Sequence, residues 1–412
     1  MIKKLIYATF LLSLLVAIYL AYVFTNRGNL VWLLYSEGMP VMVEEIAAGL
    51  GIPWGMDFLD RDTLIYTERS GTIGVLDLPS GQYQTIKQLD NLFHKGECGL
   101  LDVKVSPDYD ANRLVYFTYA KDISGGGNTS LAVARVENNK ISDWTDLFIA
   151  KHDSTDDFRH CGSRITFDDQ NHLFISTGDR GHRPNSQELS NHAGKIIRLN
   201  LDGTVPEDNP FVGVENAQNE IWSYGHRNPQ GLFYDKTTER LWSNEHGPLG
   251  GDEVNLINAG QNYGWPVVSH GKDYGTGAKI GEGPEKAGME RPYKIWNPSI
   301  APAGLLVYRG TDLTEWEGNL FSTALAQRHL NRLVLDSTGR VIFEERLLEE
   351  LRDRFRAIIQ NDAGEIYVST DNGRILKLSF ADEVKASRFN IFNHIDVPGF
   401  YLSFEINYLL SN

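Results

Sequence analysis

Cysteine is scarce, methionine is scarce and basic charge is in deficit in this chain of 412 residues. The two cysteines, Cys98 and Cys161, are too few for a disulfide framework. In an exported protein they could still pair, and two small buried thiols are the equal alternative. The 39 basic side chains fall short of the 54 acidic ones, a formal charge of -15. A surface that tracks phosphates is therefore not expected, and nucleic acid is excluded as a default partner. Long helices are also unexpected. The 39 glycines supply the positive φ that tight turns demand, and the clearest helical candidate is one short segment, Leu347 to Phe355. With 42% hydrophobic and 23% charged residues, the chain has apolar material for a sizeable core and too little charge bias for disorder. These balances point to an all-β fold.

One long hydrophobic run is present. From Leu5 to Phe24 there are 20 residues without a charge, which as a helix would span roughly 30 Å of hydrocarbon. Lys3 and Lys4 precede it and Arg27 follows. The positive-inside bias places the N-terminus in the cytoplasm and the rest of the chain on the extracytoplasmic side. Residues 1–27 are thus predicted to be a membrane anchor, followed by a linker over 28–44. A cleaved signal peptide, leaving a secreted protein, is the rival, although bulky Tyr22, Val23 and Phe24 stand where small residues would mark cleavage.

Beyond residue 40 one theme recurs six times: a short apolar strand, a polar turn, then a second strand that often ends in Ser or Thr. The first strands are Gly55–Phe58, Leu101–Val105, Arg164–Phe167, Gly231–Tyr234, Gly304–Tyr308 and Arg356–Ile359. Their partners are Thr63–Thr67, Leu114–Phe117, Leu173–Thr177, Leu241–Ser243, Leu320–Ser322 and Glu365–Thr370. Hairpins repeating about every 50 to 65 residues suit the four-stranded blades of a propeller. The expected architecture is a six-bladed β-propeller over 45–382, whose loops gather at the mouth of a central channel. A β-sandwich with a second domain would show no such period. Residues 383–412 follow as a C-terminal extension, with strand-like alternation from Phe400 to Ile406.

Three loops concentrate polar residues. His160-Cys161-Gly162-Ser163-Arg164 offers a histidine able to act as a general base, although a lone loop histidine is more often a surface residue. Tyr224-Gly225-His226-Arg227-Asn228-Pro229-Gln230-Gly231 offers a guanidinium whose planar fork suits a carboxylate or quinone oxygen. Asn244 to Glu253, continuing into Gly260 to Pro266, offers carboxylates and turn carbonyls of the kind Ca²⁺ accepts, without EF-hand spacing. An acidic solvated loop would look similar. If extended, Arg354-Phe355-Arg356 puts two arginines on one face, as a ligand clamp or a surface pair.

In this order, the segments resemble the soluble quinoprotein glucose dehydrogenases and, more closely, the bacterial aldose sugar dehydrogenases that use pyrroloquinoline quinone (PQQ). The resemblance covers roughly residues 45 to 380. It rests on Gly96-Glu97-Cys98-Gly99-Leu100-Leu101-Asp102, His160 to Arg164, Ala193 to Gly203, Gly225 to Gly231, Gly247 to Glu253, Asn262-Tyr263-Gly264-Trp265-Pro266 and Arg354-Phe355-Arg356. It implies a periplasmic PQQ-dependent dehydrogenase oxidising an aldose to its lactone and passing electrons to a separate acceptor. It also implies His160 as the base, Arg227 polarising the accepting carbonyl, and Asn228, Tyr274, Arg354 and Arg356 as cofactor contacts. Gly247 and Pro248 match ligands of a calcium that bridges to PQQ; Glu253 and Tyr263 match a second calcium site. Two positions depart from the pattern. Glu97 stands where a glutamine near the cofactor is usual, and Ala326 where a lysine holds it, with Gln327 and Arg328 as neighbouring substitutes. The alternatives are a non-catalytic propeller that binds a sugar or a protein, and a calcium-dependent lactone or ester hydrolase. Arg227, Arg354 and Arg356 have work in a quinone site and none in a hydrolase.

Overall fold

The computed structural model describes residues 31–123, 126–152 and 158–382. The expected anchor over 1–27 and the extension over 383–412 lie outside the described residues. Among those described, no helix is long and apolar enough to cross a membrane.

Residues 31–44, expected to be linker, instead belong to two strands, β1 (Val31–Ser36) and β2 (Met39–Ala47). They form a hairpin in which Ser36 faces Met39 across Glu37 and Gly38. Both turn residues have positive φ, at 49° and 91°, as the tight turn of a right-twisted hairpin requires. Five four-stranded sheets follow in sequence. The first holds β3 (Pro53–Phe58), β4 (Thr63–Glu68), β5 (Thr72–Asp77) and β6 (Gln82–Gln88). The second holds β7 (Leu100–Val105), β8 (Leu114–Ile123), β9 (Gly126–Glu137) and β10 (Lys140–Ile149). The third holds β11 (Ile165–Phe167), β12 (His172–Thr177), β13 (Lys195–Asn200) and β14 (Ile221–Tyr224). The fourth holds β15 (Pro229–Asp235), β16 (Arg240–Glu245), β17 (Asp252–Ile257) and β18 (Lys294–Trp296), and the fifth β19 (Pro302–Val307), β20 (Leu320–Ala324), β21 (Leu330–Leu335) and β22 (Val341–Leu347). The sixth combines both ends of the described chain, in the order β1-β2-β25-β24-β23, with β23 (Phe355–Gln360), β24 (Ile366–Thr370) and β25 (Ile375–Phe380). Because β2 pairs with β25 from Val41↔Phe380 to Ala47↔Ile375, the N-terminal hairpin closes the ring and leaves no long open seam.

The six sequence repeats are the first two strands of the six blades. Apolar residues interleave between neighbouring blades: Ile65 and Ile73 of the first pack with Val103, Val115 and Phe117 of the second. Full burial of such side chains stabilises by about 1.5–3 kcal/mol each.

A polar residue on each second strand has a defined partner in the next blade or in the segment that leads into it. Thr67 donates to the Leu101 carbonyl at 2.5 Å, Thr118 to Ser163 at 2.5 Å and Ser176 to Pro229 at 3.0 Å. Asn244 donates to Gly304 at 3.2 Å, Thr323 to Arg356 at 2.7 Å and Ser369 to Pro53 at 2.8 Å. All six donors are fully buried, so the ring is sewn blade to blade by one repeated hydrogen bond. A buried ion pair adds to this between the second and third blades, where Arg164 donates to Asp102 at 2.8 Å and Asp102 also accepts the Ile165 amide.

The predicted helix from Leu347 to Phe355 is not formed. Leu347 ends β22, Phe355 begins β23, and between them stands only a single 3-10 turn, Glu349–Leu351. Leu348 and Arg352 flank it in the left-handed conformation, at φ 64° and 52°, and this stops a helix from propagating in either direction.

Candidate active site at the channel mouth

Glu97, His160, Arg227 and Arg354 all lie in the segments leading into the inner strands β7, β11, β15 and β23. One end of the channel therefore gathers them.

His160 sits on a strained loop. It has φ 53°, and Gly162 and Ser163 follow at 60° and 89°. Strain of this kind persists where surrounding contacts fix the backbone. Here a Cβ on Gly178 would come within 2.1 Å of the His160 carbonyl, and one on Gly162 within 2.7 Å of Thr177 Cα. The His160 amide donates to Glu97 Oε2 at 2.8 Å, and its Nδ1 lies 2.5 Å from Asp179 Oδ1. Asp179 is fully buried and also accepts from Trp265 Nε1 at 2.7 Å and the Gly181 amide at 2.8 Å. Burial pushes its carboxyl up, but the hydrogen bond and charge of His160, helped by Arg227, hold it below the usual carboxylate range. An ionised Asp179 fixes the proton of a neutral His160 on Nδ1 and leaves the Nε2 lone pair free to accept one. Sequence reasoning missed Asp179. The residue follows the third repeat as Thr177-Gly178-Asp179, which reads as an ordinary turn.

Arg227 is held by its amide, which donates to Glu245 at 2.7 Å, and by Nη1, which donates to the His246 carbonyl at 3.0 Å. Its guanidinium lies over the Trp265 ring at 5.4 Å. Asn228 Nδ2 reaches Glu97 Oε2 at 3.4 Å, so Glu97 ties the His160 and Arg227 loops together. Burial pushes the neighbouring His246 imidazole toward its neutral form, and its Nε2 meets the Pro302 carbonyl at 2.9 Å.

Across the mouth, Arg354 and Arg356 share one carboxylate. Arg356 Nε donates to Asp371 at 2.5 Å and Arg354 Nε at 2.9 Å. Phe355 between them is fully buried on the other face, as strand alternation predicts. Burial pushes the Asp371 carboxyl up, and the two guanidiniums outweigh it and hold it low. A third cation, Arg69, was missed because it follows β4 in a plain Glu68-Arg69-Ser70 turn. It is half-buried, its Nε has no partner, and burial together with the charge of Arg356 lowers its pKa. Arg354 and Arg356 divide one aspartate, and Arg69 feels the charges of both Asp371 and Glu97, so three cations meet two carboxylates and this wall keeps a net positive charge that fits an acidic cofactor. Near Ala326, neither substitute joins the group: Gln327 Nε2 donates to Ser299 at 3.1 Å and Arg328 Nη1 to Arg352 at 3.4 Å.

The four residues matched to calcium ligands line one small cavity. Gly247, Pro248, Glu253 and Tyr263 surround about 20 Å³ together with Glu245, room for a single ion or water. Burial, with the charges of Glu245 and Asp252 added, pushes the Glu253 carboxyl up to about 8. Two crowded carboxylates beside turn carbonyls suit a hard cation. The Tyr263 hydroxyl is already engaged, donating to the Leu256 carbonyl at 2.6 Å and accepting from the Asn258 amide at 2.8 Å. Its carbonyl is the oxygen left to offer. Among the described residues no cluster of three or more His, Cys, Asp or Glu forms a metal site, so a cation here would rely on carbonyls. Tyr274 stands at the rim, 68% exposed, with its hydroxyl donating to the Pro248 carbonyl at 3.2 Å.

Residues 50–377 match the family model described as glucose / sorbosone dehydrogenase. An uncharacterized protein of Synechocystis sp. is 38% identical over 370 residues, covering 85% of this chain and 89% of the relative. Aldose sugar dehydrogenase YliI of Escherichia coli is 34% identical over 355 residues, covering 84% and 95%. The PQQ-bound aldose sugar dehydrogenase of Streptomyces coelicolor superposes with a TM-score of 0.69 at 26% identity, covering 85% of this chain and 98% of that one. The chain belongs to the glucose/sorbosone dehydrogenase family.

Proposed function

We propose that this protein is a PQQ-dependent dehydrogenase that oxidises an aldose at its anomeric carbon to the lactone. The observation that carries the reading is the His160–Asp179 pair at the same mouth as Arg227. PQQ, when bound, supplies an electrophilic carbonyl that takes up the hydride from the sugar. Arg354, Arg356 and Arg69 would hold its acidic groups, with Asn228 and Tyr274 beside it. Glu97 faces the same ligand, and its charge opposes binding unless a cation offsets it. The cavity among Gly247, Pro248, Glu253 and Tyr263, which Arg227 also lines, has room for one calcium where the resemblance implies two sites.

His160 does the proton work. Its Nε2 accepts the proton of the anomeric hydroxyl as the C–H bond is cleaved, and Asp179 stabilises the imidazolium that results. Arg227 presents a fixed cation where negative charge develops on the accepting oxygen, in a site that excludes part of the solvent. Stacking on Trp265 and the bond to the His246 carbonyl keep that guanidinium from swinging away.

We further propose that the run from Leu5 to Phe24 anchors the enzyme with its propeller on the extracytoplasmic, periplasmic side, where it delivers electrons to a separate acceptor. The test loads the full chain, in detergent, with PQQ and Ca²⁺ and follows cofactor absorbance as aldoses are added. Reduction that needs the cofactor and a particular sugar supports the reading. Failure to bind PQQ at any calcium concentration overturns it.

A further inference from the structure

Three loops meet behind the mouth, and each contributes two consecutive residues with divided duties. Glu97, His160 and Asp179 join one another through hydrogen bonds on the catalytic side. Their immediate successors, Cys98, Cys161 and Arg180, join one another on the inner side. Cys98 and Cys161 form a disulfide with Cα atoms 5.7 Å apart, and both are buried, at 0% and 2% exposure. Arg180 is buried as well. Its Nη1 lies against both sulfurs, 3.3 Å from that of Cys98, and its Nη2 donates to the Gly127 carbonyl at 2.9 Å.

We propose that the Cys98–Cys161 disulfide and Arg180 form a positioning unit that holds the His160 imidazole against Asp179. The covalent bond fixes the separation of the Glu97 and His160 loops, and the guanidinium ties the Asp179 loop to the same sulfurs. All three catalytic-side residues are thereby held by their neighbours in sequence. Such a clamp has a reason to exist here. The loop from His160 to Ser163 carries three left-handed residues, two of them not glycine, and a backbone in that state relaxes unless something fixes it. The glycine contacts at Gly162 and Gly178 fix it from the β12 side, and the disulfide adds a covalent tie at Cys161. A proton acceptor displaced by about 1 Å loses much of its effectiveness. The inference rests on the proposed role of His160 as the base.

The experiment uses the full chain labelled with ¹⁵N-histidine and needs no cofactor for its first readout. The His160 Nδ1 proton, hydrogen-bonded to Asp179, gives a low-field NMR signal that His160→Ala removes. In Cys98→Ala/Cys161→Ala, and separately in Arg180→Gln, that signal should broaden or vanish. In the PQQ-loaded enzyme, kcat should then fall about tenfold or more with KM little changed. Loss of thermal stability is expected of a mere structural staple too, and so decides nothing. A low-field signal and kcat both unchanged in the variants would overturn the proposal, as would absence of that signal in the native chain. Should the double variant fail to fold, Arg180→Gln, which keeps the disulfide, decides alone. A signal that responds in the variants of a protein with no sugar-dependent turnover upholds the positioning unit and sinks the dehydrogenase reading instead.

Discussion

The ring of blade-to-blade hydrogen bonds and the channel mouth are built on the same inner strands, yet they are made differently. In the ring, six fully buried donors each meet a carbonyl of the neighbouring blade, between uncharged groups. At the mouth the backbone is left-handed at His160, Gly162 and Ser163, and the charges are unequally matched, with Arg69, Arg354 and Arg356 against Asp371 and Glu97. The ring spreads its stabilisation over six equivalent bonds, so no one of them controls the fold. The mouth concentrates function in positions without a duplicate. Substitutions at the two places should accordingly separate activity from stability.

The largest effect should come from His160→Ala. Removing a general base costs about a hundredfold to ten-thousandfold, so sugar-dependent turnover should fall by at least two orders of magnitude while PQQ affinity stays near native. Near-native turnover in this variant would remove His160 from the mechanism. Asp179→Asn comes next. The amide cannot fix the imidazole tautomer as a carboxylate does, and turnover should fall by roughly a hundredfold. The same variant has a signature in pH. Asp179 has a folded-state pKa below its ordinary 3.8. The stability it contributes is thus present above that value and lost as pH falls through the lower folded value. Acid unfolding followed by circular dichroism should therefore be less steep below about pH 4 in Asp179→Asn. An unchanged acid limb would show that the ion pair adds nothing to stability.

The same contrast explains what could be read from the sequence. The inner two strands of every blade were legible because they are buried on both sides and read as apolar runs, as in Leu173-Phe174-Ile175. The outer strands were not, because one face meets water; β6, Gln82–Gln88, is exposed over most of its length. The hairpin of β1 and β2 reads as a linker in the sequence because its partner, β25, lies more than 300 residues away, a pairing that no local pattern reveals. In the candidate site, motif order is what singles out His160, Arg227, Arg354 and Arg356. Asp179 and Arg69 escaped because each stands in a turn where an acidic or basic residue is unremarkable, and only the folded chain shows what it faces. The pairing of Cys98 with Cys161 was left open for the same reason.

Glu97→Gln tests the mouth in the opposite direction, as a gain. The carboxylate accepts from the His160 amide and from Asn228, and a glutamine side-chain oxygen can keep both bonds while removing the negative charge that faces an acidic cofactor. Glu97 is exposed, so solvent screens much of that repulsion. PQQ affinity measured by titration should rise by roughly threefold to tenfold at pH 7 and low salt, with the gain shrinking as salt is added. Weaker binding would mean that the charge of Glu97 is used in the loaded site, for instance by a cation.

The smallest effect on activity should come from the ring. Ser369→Ala removes the donor that reaches the Pro53 carbonyl across the seam where the sixth blade meets the first. Leaving a buried acceptor short of one partner costs about 1–2 kcal/mol, which in a domain of this size lowers Tm by a few degrees at most. Thr118→Val, at a bond that does not close the ring, should cost about the same, because the seam uses the same chemistry as every other blade junction. Ser369→Ala should retain native kcat once PQQ is bound, whereas Thr118 holds the Ser163 carbonyl in the His160 loop and serves the stability comparison alone. A much larger loss at Ser369 than at Thr118, measured by thermal unfolding, would show that closure depends on one bond after all. In that case the pairing of β2 with β25 would be too weak to hold the ring shut without it.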